Sequence, residues 1–381
     1  MATIERYSTR SGRRYRVRYR KPDGRQTDKR GFTTKAAAEA WAATNTVSIN
    51  TGSWIDPRFA SRTVGDLGAQ WIQRQTHLKP SAFKPISTAW RLRVEPRWGA
   101  VPIGAIKPSE VQSWLSGLKK VPRKPGAEPT EPLAATGVIY AHQVLHAILD
   151  DAVRDRMLAS NPADGMALPR KRGKLKVYLT NEQVHAFAAA VRDTDVDAQK
   201  RYVLVLTLAY TAVRWGEATG LKVRGVNALR RRLLVRDNAV EVDGTIYEGS
   251  TKGHRDRTVP VPTFLMDLIV ELCAGKGPDD LVFDGPDGKH LPLPPYTRGW
   301  WQQSVSAAGI PRVTPHDLRH TAASLAVQAG ANVKALQRML GHSSAALTLD
   351  VYADLFDSDL DSVADHLDEA VGRMWAQSAK R

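Results

Sequence analysis

The sequence predicts a multidomain protein with a small α+β domain at its N-terminus, an all-α domain after it, and a mixed α+β, mostly helical domain in its C-terminal half. Three observations support this prediction. A period-two strand precedes an alanine-rich helix near the N-terminus, residues 63–160 show only helical patterns, and helices alternate with short strands from about residue 181 onward. The length of 381 residues exceeds one ordinary core and agrees with several domains.

The N-terminal domain is predicted for residues 1–55. Aromatic and aliphatic residues alternate with arginines from Tyr15 to Arg20, which predicts a strand with one apolar face and one basic face. A turn at residues 21–24 leads to a second strand over residues 26–32. An alanine-rich helix is expected from residue 35 to about residue 49.

Charge is unevenly distributed along the chain. The formal net charge is +16, and residues 1–35 alone contain twelve basic and three acidic residues. This balance predicts attraction to polyanions, nucleic acid first and an anionic membrane surface second. The N-terminal charge could belong to a solvated tail, but the ordered strand and turn favour a compact DNA-reading domain. The candidate DNA contacts are Arg13, Arg14, Arg16, Arg18, Arg20, Lys21, Lys171, Arg172, Lys174 and Lys176.

The second domain is predicted for residues 63–160. Its expected helices are 64–75, 87–94, 109–118 and 133–158, with a proline-rich exposed loop over residues 121–132. A basic interdomain linker follows at residues 161–176. This linker either is a flexible connection or lies along a phosphate backbone.

Composition also excludes several classes of protein. The single cysteine, Cys273, excludes an internal disulfide and any multi-cysteine zinc site, as expected in a reducing cytoplasm. No secretory signal is visible, and the longest apolar-rich stretch, residues 202–213, is too short to span a bilayer and reads as a buried core helix. The sequence has no phosphate-binding Gly-x-x-x-x-Gly-Lys loop. We expect no metal and no cofactor.

The remaining chain is predicted to mix helices and strands. The expected helices are 181–192, 199–212, 263–273, 297–308, 315–329, 332–340 and 346–355, and the expected strands lie near 232–236, 245–251 and 257–261.

Two residues suited to phosphate chemistry lie in Thr314-Pro-His316-Asp-Leu-Arg319. Thr314 is typical of a helix N-cap and Pro315 of the first helical position, so His316 and Arg319 share one face of a helix. A helix N-terminus favours an anion, an arginine fork can bind two phosphate oxygens, and a histidine can move protons near neutral pH. By itself this spacing is also common on ordinary surfaces.

Three further segments carry candidates whose ordinary interpretation is structural. Tyr352 lies ten residues after His342, and a tyrosine on a late helix is usually core or interface. Arg214 directly follows an apolar helix, where an ion pair with Glu217 could be its whole role. Lys252 lies at the polar tip of a hairpin that two short strands are expected to form, and such a lysine is normally just solvated.

Taken in order, these segments resemble the tyrosine recombinase (phage integrase) family. The order is an arginine, a lysine between strands, His-x-x-Arg, a histidine and a tyrosine, and the resemblance spans about residues 174–357. It implies a catalytic domain at residues 177–381. The two preceding domains resemble the family's helical, SAM-like core-binding domain and the arm-type DNA-binding domain of temperate-phage integrases.

The resemblance implies a role for each motif residue. Tyr352 would be the nucleophile on the scissile phosphate, and Lys252 the general acid for the departing 5′-oxygen. Arg214 and Arg319 would clamp the non-bridging oxygens, with Glu217 supporting the first arginine.

Two histidines complete the implied catalytic set. His316 would exchange a proton with the tyrosine or orient it, and His342 would donate a hydrogen bond to the phosphate. Cationic donors help because a phosphodiester resists attack through its own negative charge. A phenol with a pKa near 10 is a poor nucleophile until neighbours favour its phenolate. A covalent phosphotyrosine keeps the bond energy, so neither metal nor ATP is expected.

The resemblance also implies partners and an assembly. These are double-stranded DNA with core-type and arm-type attachment sites, a homotetramer acting through a 3′-phosphotyrosyl intermediate and a Holliday junction, a host DNA-bending factor and an excisionase. The expected place is the cytoplasm of a bacterial host, on DNA and away from membranes. Alternatives are another tyrosine recombinase (a chromosome-dimer resolvase or a conjugative-transposon integrase), a type IB topoisomerase, an inactive DNA-binding regulator and a metal-dependent nuclease or transposase.

Two features depart from the family pattern or complicate it. The family usually has Thr-Gly before the first arginine, whereas this chain has Ala212 at the glycine position, which disfavours a left-handed backbone. An acidic segment follows the tyrosine, with carboxylates at Asp354, Asp357, Asp359, Asp361, Asp365, Asp368 and Glu369. We expect this segment to be either a solvated helix face or a helix that docks on a neighbouring subunit.

Overall fold

The computed structural model describes residues 2–51, 54–56, 58–122, 130–171, 173, 175–192, 197–250, 256–285, 287–295, 297–355, 367–368 and 371. The chain separates into two compact units, residues 1–172 and residues 173–381.

The first unit begins with a three-stranded antiparallel sheet in the order β1-β2-β3, followed by a helix: β1 (Thr3–Thr9), β2 (Gly12–Arg20), β3 (Gln26–Phe32) and α1 (Lys35–Asn50). The predicted alternation in β2 is confirmed, because Val17 and Tyr19 are buried while Arg13 and Arg20 are exposed. Val17 packs with the small α1 residue Ala38. Strand β1 was not predicted from the sequence.

Five helices complete the described part of this unit: α2 (Val64–Gln73), α3 (Pro80–Ala89), α4 (Glu95–Trp98), α5 (Pro108–Ser116) and α6 (Ala135–Arg154). The predicted start of α2 is confirmed by a capping box between Thr63 and Asp66. A π-turn over Trp90–Val94 joins α3 to α4, so the helical run is longer than the predicted 87–94. Leu145 and Ile148 of α6 are buried in the core, as their helical spacing predicts.

The described part of the second unit contains eight α-helices, and a 3-10 turn at Ala353–Leu355 follows the last of them. The helices are α7 (Asn181–Arg192), α8 (Ala198–Thr211), α9 (Trp215–Thr219), α10 (Thr263–Cys273), α11 (Gly299–Ala307), α12 (Pro315–Gln328), α13 (Val333–Leu340) and α14 (Ala345–Tyr352). Helix α8 is buried along most of its length and packs on α7 and α12, which confirms the predicted core helix. The short α9 was not predicted.

Two small antiparallel sheets accompany these helices. One has the order β4-β5-β8 and the other pairs β6 with β7; the strands are β4 (Val226–Asn227), β5 (Arg232–Val235), β6 (Asp237–Val242), β7 (Thr245–Ser250) and β8 (Arg257–Pro260). The sequence predicted that the strands on either side of Lys252 form one hairpin. That pairing is wrong, because β7 pairs with β6 and β8 pairs with β5. The sequence missed β6, the partner that β7 reaches through the tight turn after Val242. Lys252 itself lies outside the described residues.

No helix in the described ranges is both long enough and apolar enough to cross a membrane.

Candidate active site

Tyr352 ends helix α14 and lies inside the second unit, with 2% of its surface exposed. The helix begins at Ser344, whose hydroxyl accepts a hydrogen bond from the backbone N–H of Leu347. The Tyr352 hydroxyl lies 2.8 Å from Nδ1 of His320 on α12. The ring planes of Tyr352 and His342 are nearly parallel, with their centroids 6.4 Å apart.

The start of α12 positions three of the relevant side chains. Thr314 accepts a hydrogen bond from the N–H of Asp317, and the Asp317 carboxylate accepts one from the N–H of Thr314 at 2.8 Å. This capping box confirms the predicted N-cap and fixes the first turn. This turn sets the positions of the side chains at the start of α12, namely those of His316, Arg319 and His320.

Arg319 is buried and ties the ends of two other helices together. Its guanidinium donates to the carbonyl of Ala212 after α8 and, at 2.6 Å, to the carbonyl of Leu340 at the end of α13. Burial and repulsion from Arg214 lower the pKa of Arg319 to about 9, so it remains charged at neutral pH.

Ala212 adopts the left-handed conformation, with φ of 55°. The family glycine is therefore replaced without loss of that backbone geometry, at a cost of about 1–2 kcal/mol for a side chain in this region. The same residue supplies one of the carbonyl oxygens that hold Arg319. Its conformation thus helps to orient a cation of the site.

Glu217 organises two arginines from a buried position. The carboxylate accepts from the backbone N–H and the side chain of Arg214, each at 2.8 Å, and from both terminal nitrogens of Arg257 at 2.9 and 2.6 Å. Burial alone would raise the pKa of Glu217, but the hydrogen bonds and charges of Arg257 and Arg214 outweigh it and lower the pKa to about 2. The predicted support of Arg214 by Glu217 therefore includes a second arginine that the sequence analysis did not select.

Arg257 extends this network to the turn that carries His342. Its Nε donates to the carbonyl of Met339 at 3.2 Å. Gly341 ends α13 in the left-handed conformation with φ of 67°, and a Cβ there would lie 2.8 Å from Cδ of Arg257. Glycine is therefore required both for the turn and for the close approach of the arginine. Nδ1 of His342 lies 3.0 Å from the hydroxyl of Thr348 on α14.

Electrostatics keep the two histidines near the tyrosine neutral. Burial and the positive charge of nearby groups lower the pKa of His320 and of His342 to about 4 each. Burial raises the pKa of Tyr352 to about 12, although Arg319 and Arg214 act in the opposite direction. In this state the tyrosine is a protonated phenol beside a neutral imidazole.

The structure thus brings Arg214, Glu217, Arg319, His342 and Tyr352 into one site. His316 is exposed and packs its ring against His320, with centroids 4.8 Å apart. The group at hydrogen-bond distance from the tyrosine is His320, whereas the sequence expectation gave the proton-exchange or orienting role to His316. The spacing makes His320 a second candidate for this role, because it lies four residues after His316 on the same helix face, but it does not choose between the two histidines.

The basic residues proposed from sequence as DNA contacts have different environments. On β2, exposed side chains belong to Arg13 and Arg20, and partly exposed ones to Arg14, Arg16 and Arg18. In the predicted linker Lys171 is exposed, and Arg172 and Lys174 lie outside the described residues.

Two of the lysines proposed as DNA contacts instead have partners within the protein. Lys21 bonds to Asp56 at 2.5 Å with only 12% of its side chain exposed, because the turn folds it toward that carboxylate. Lys176, expected in the linker, donates to the carbonyl of Val351 and places its ammonium 5.6 Å from the centre of the Tyr352 ring.

Comparison with known proteins identifies the second unit. Residues 177–359 match the phage integrase family. The second unit is a tyrosine recombinase domain. Enzymes of this class cut and rejoin DNA.

The recombinase is similar along most of its length to curated integrases. It is 29% identical to the integrase of Mycobacterium phage D29 over 336 residues, which cover 84% of each chain. It is 28% identical to the integrase of Mycobacterium phage FRAT1, with 82% of this chain and 92% of the relative covered.

Solved structures share the fold of the recombinase. The Tn1549 transposon integrase in complex with transposon right-end DNA matches with a TM-score of 0.64 and 23% identity, covering 80% of this chain and all of that chain. A lambda integrase tetramer bound to a Holliday junction matches with a TM-score of 0.53 and 15% identity, covering 89% and 95% of the two chains.

Proposed function

We propose that this recombinase is a phage or mobile-element integrase that inserts and excises element DNA at attachment sites through a 3′-phosphotyrosyl bond on Tyr352. The observation that carries this proposal is the convergence of the buried Tyr352 with Arg214, Arg319 and His342. Burial raises the pKa of the tyrosine to about 12, and the positive charges of the two arginines act against this rise. The two arginines are the groups that can absorb negative charge at an attacked phosphate.

The proposed roles follow from what each group can donate. Arg214 and Arg319 bind the non-bridging oxygens of the scissile phosphate, and Glu217 with Arg257 keeps Arg214 oriented. Charged donors fixed before the reaction need no reorganisation when charge builds up at phosphorus.

Three other groups complete the proposed machinery. His342 donates a hydrogen bond to the phosphate, and Lys252 protonates the departing 5′-oxygen. His316 adds to the polar lining through its contact with His320. The covalent phosphotyrosine conserves the energy of the broken bond, so rejoining requires neither metal nor ATP.

The proposed domain layout assigns DNA contacts along the whole chain. Residues 1–55 form an arm-type DNA-binding domain, residues 63–160 a core-binding domain, residues 161–176 a linker and residues 177–381 the catalytic domain. The arginine-bearing face of β2 supports the arm-type assignment, because such a face can neutralise DNA phosphates. This N-terminal sheet favours an integrase over a chromosome-dimer resolvase or a type IB topoisomerase.

The proposed assembly is a homotetramer on paired core sites that exchanges strands through a Holliday junction. The similarity to lambda integrase, which has been solved as a tetramer on a Holliday junction, supports it. A host DNA-bending factor and an excisionase would assist on DNA in the cytoplasm of a bacterial host. The Tn1549 integrase similarity keeps a conjugative-transposon integrase as the nearest alternative.

The decisive experiment uses a nicked suicide substrate that carries candidate core sites. The wild-type chain should form a covalent protein–DNA adduct in the presence of a metal chelator, and Tyr352→Phe should form none. The variant should still bind the same DNA, because only the nucleophilic oxygen is removed. An adduct formed by Tyr352→Phe, or loss of the wild-type adduct on chelation, would contradict the proposal.

A further inference from the structure

His320 contacts the oxygen that the proposed reaction uses as its nucleophile. The distance from Nδ1 to the Tyr352 hydroxyl is 2.8 Å, and the two ring centroids are 5.5 Å apart. The other nearby histidine is engaged differently, because Nδ1 of His342 lies beside the Thr348 hydroxyl. The hydrogen-bond geometry therefore singles out His320 as a partner of the reacting phenol.

The charged surroundings of His320 suit a group that must be neutral before the reaction. Lys176, His316 and Arg319 disfavour its protonated form, whereas Asp317 on the same helix favours it. Tyr178 packs edge-on against its ring at 6.4 Å. A neutral imidazole with its proton on Nε2 leaves the Nδ1 lone pair free to accept from the phenol. Approach of the negatively charged scissile phosphate would then favour the imidazolium that forms on proton transfer.

We propose that His320 is a catalytic residue of this recombinase that accepts the Tyr352 proton during cleavage and returns it during rejoining. This inference rests on the proposed function, in which the tyrosine is the nucleophile. The proton moves from the phenol oxygen to Nδ1 while the oxygen forms a bond to phosphorus. The bond from phosphorus to the 5′-oxygen breaks, and that oxygen takes a proton from the general acid, proposed above as Lys252. In rejoining, the 5′-hydroxyl attacks, the phenol oxygen leaves, and it regains its proton from His320.

A pair of substitutions separates proton transfer from simple positioning. In His320→Asn the amide oxygen can occupy roughly the place of Nδ1 and accept the hydrogen bond, but it cannot take the proton. His320→Ala removes both functions. A control is His185→Asn, which changes an exposed histidine that packs against the rings of Tyr210 and Phe264.

The measurement is single-turnover adduct formation by the full chain on the nicked core-site substrate, with DNA affinity determined in parallel. Both His320 variants should be slower by on the order of 100-fold at neutral pH, the lower range for loss of a general base. Affinity for the DNA should be unchanged, and His185→Asn should cleave as the wild type does. Without a base the phenolate must come from solution equilibrium, so the variants should gain about tenfold in rate per pH unit while the wild type changes much less.

A 5′-phosphorothiolate substrate identifies the side of the reaction on which His320 acts. Its sulfur leaves without a proton. This substrate should therefore restore the cleavage rate of a variant that lacks the general acid, but both His320 variants should still cleave it slowly. Wild-type cleavage by His320→Asn, faster cleavage by either variant, or full restoration by the sulfur substrate would overturn the assignment.

Failure of the proposed function has a different signature. In that case Tyr352→Phe would still form the adduct. Failure of the His320 assignment alone leaves the adduct dependent on Tyr352 and the His320→Asn rate and pH profile equal to those of the wild type. Loss of DNA binding by His320→Asn would also overturn the assignment, because the residue would then be structural.

Discussion

Two regions of the recombinase place arginines around a glutamate, and they differ mainly in burial. On the N-terminal sheet, Glu5 pairs with Arg16 at 2.7 Å and with Arg18 at 3.1 Å, and 33% of the glutamate side chain is exposed. In the active site, Glu217 pairs with Arg214 and Arg257, and 1% of the glutamate side chain is exposed.

The difference in burial gives these two sets of arginine–glutamate ion pairs different roles. A buried carboxylate cannot exchange its arginines for water, so removal of one partner leaves an uncompensated charge and typically costs 3–5 kcal/mol. An exposed pair contributes about 1 kcal/mol or less and is screened by salt. The active-site network therefore fixes guanidinium positions. The arginines of the sheet can instead exchange a carboxylate for a DNA phosphate at little energetic cost.

The largest effect is expected for Glu217→Gln. The amide cannot balance two arginines, so the free energy of unfolding should fall by about 3–5 kcal/mol and adduct formation should fall with it. Chemical denaturation at neutral pH measures the first effect, and the suicide substrate measures the second. A variant as stable as the wild type would show that the two arginines do not depend on the buried charge.

The pH dependence of the free energy of unfolding, compared between the wild type and Glu217→Gln, sharpens this prediction. The pKa of Glu217 falls from 4.5 to about 2 on folding, so its stabilisation is complete above about pH 4.5 and is lost as the pH falls toward 2. This shift corresponds to roughly 3 kcal/mol. The stability difference between wild type and Glu217→Gln should therefore shrink on acidification, and a constant difference would contradict the assignment.

A smaller effect is expected for Arg257→Lys, which keeps the charge but loses the bidentate fork and the bond to Met339. The expected loss is about 2 kcal/mol of stability, as for a hydrogen bond to a charged group. Adduct formation should also slow, because Arg214 and the turn at Gly341 lose their common support. The matched control is Arg236→Lys, whose arginine pairs with the exposed Asp256 at 2.8 Å and should tolerate lysine within about 0.5 kcal/mol. Equal losses in the two variants would show that burial is not the deciding factor.

Local sequence patterns predicted much of the fold because their physical signals are local. The alternation in β2, the caps at Thr63 and Thr314, and the apolar run of α8 each depend on residues within one turn or one strand. The pairing of β7 and β8 was wrong because strand pairing depends on distant partners, and β6 lacked a pattern strong enough to be recognised.

The same limit explains what was missed in the active site. Arg214, Arg319 and Tyr352 were found because their order in the chain resembles a known family. Arg257 and His320 act through contacts with Glu217 and Tyr352 that are 40 and 32 residues away in sequence. Sequence spacing alone therefore could not distinguish His320 from His316 as the partner of the phenol.

The smallest effect on stability, and the clearest contrast with Glu217, is expected for Glu5→Gln. The free energy of unfolding should change by less than about 1 kcal/mol, because the pairs that Glu5 makes are partly solvated. The affinity for DNA should rise, since Arg16 and Arg18 no longer have to leave the Glu5 carboxylate in order to bind phosphates, and Arg16 keeps only a longer pair with Asp28 at 3.7 Å. Titration of arm-type DNA at several salt concentrations should give a steeper dependence of the logarithm of the binding constant on the logarithm of the salt concentration, by about 0.9 in slope for each additional phosphate contact.

The matched control is Glu39→Gln on α1, which makes the same change in net charge but releases the exposed Lys35 instead of an arginine of the sheet. If both variants raised the affinity equally, net charge would account for the gain, and the arginine face of β2 would have no special part in binding DNA.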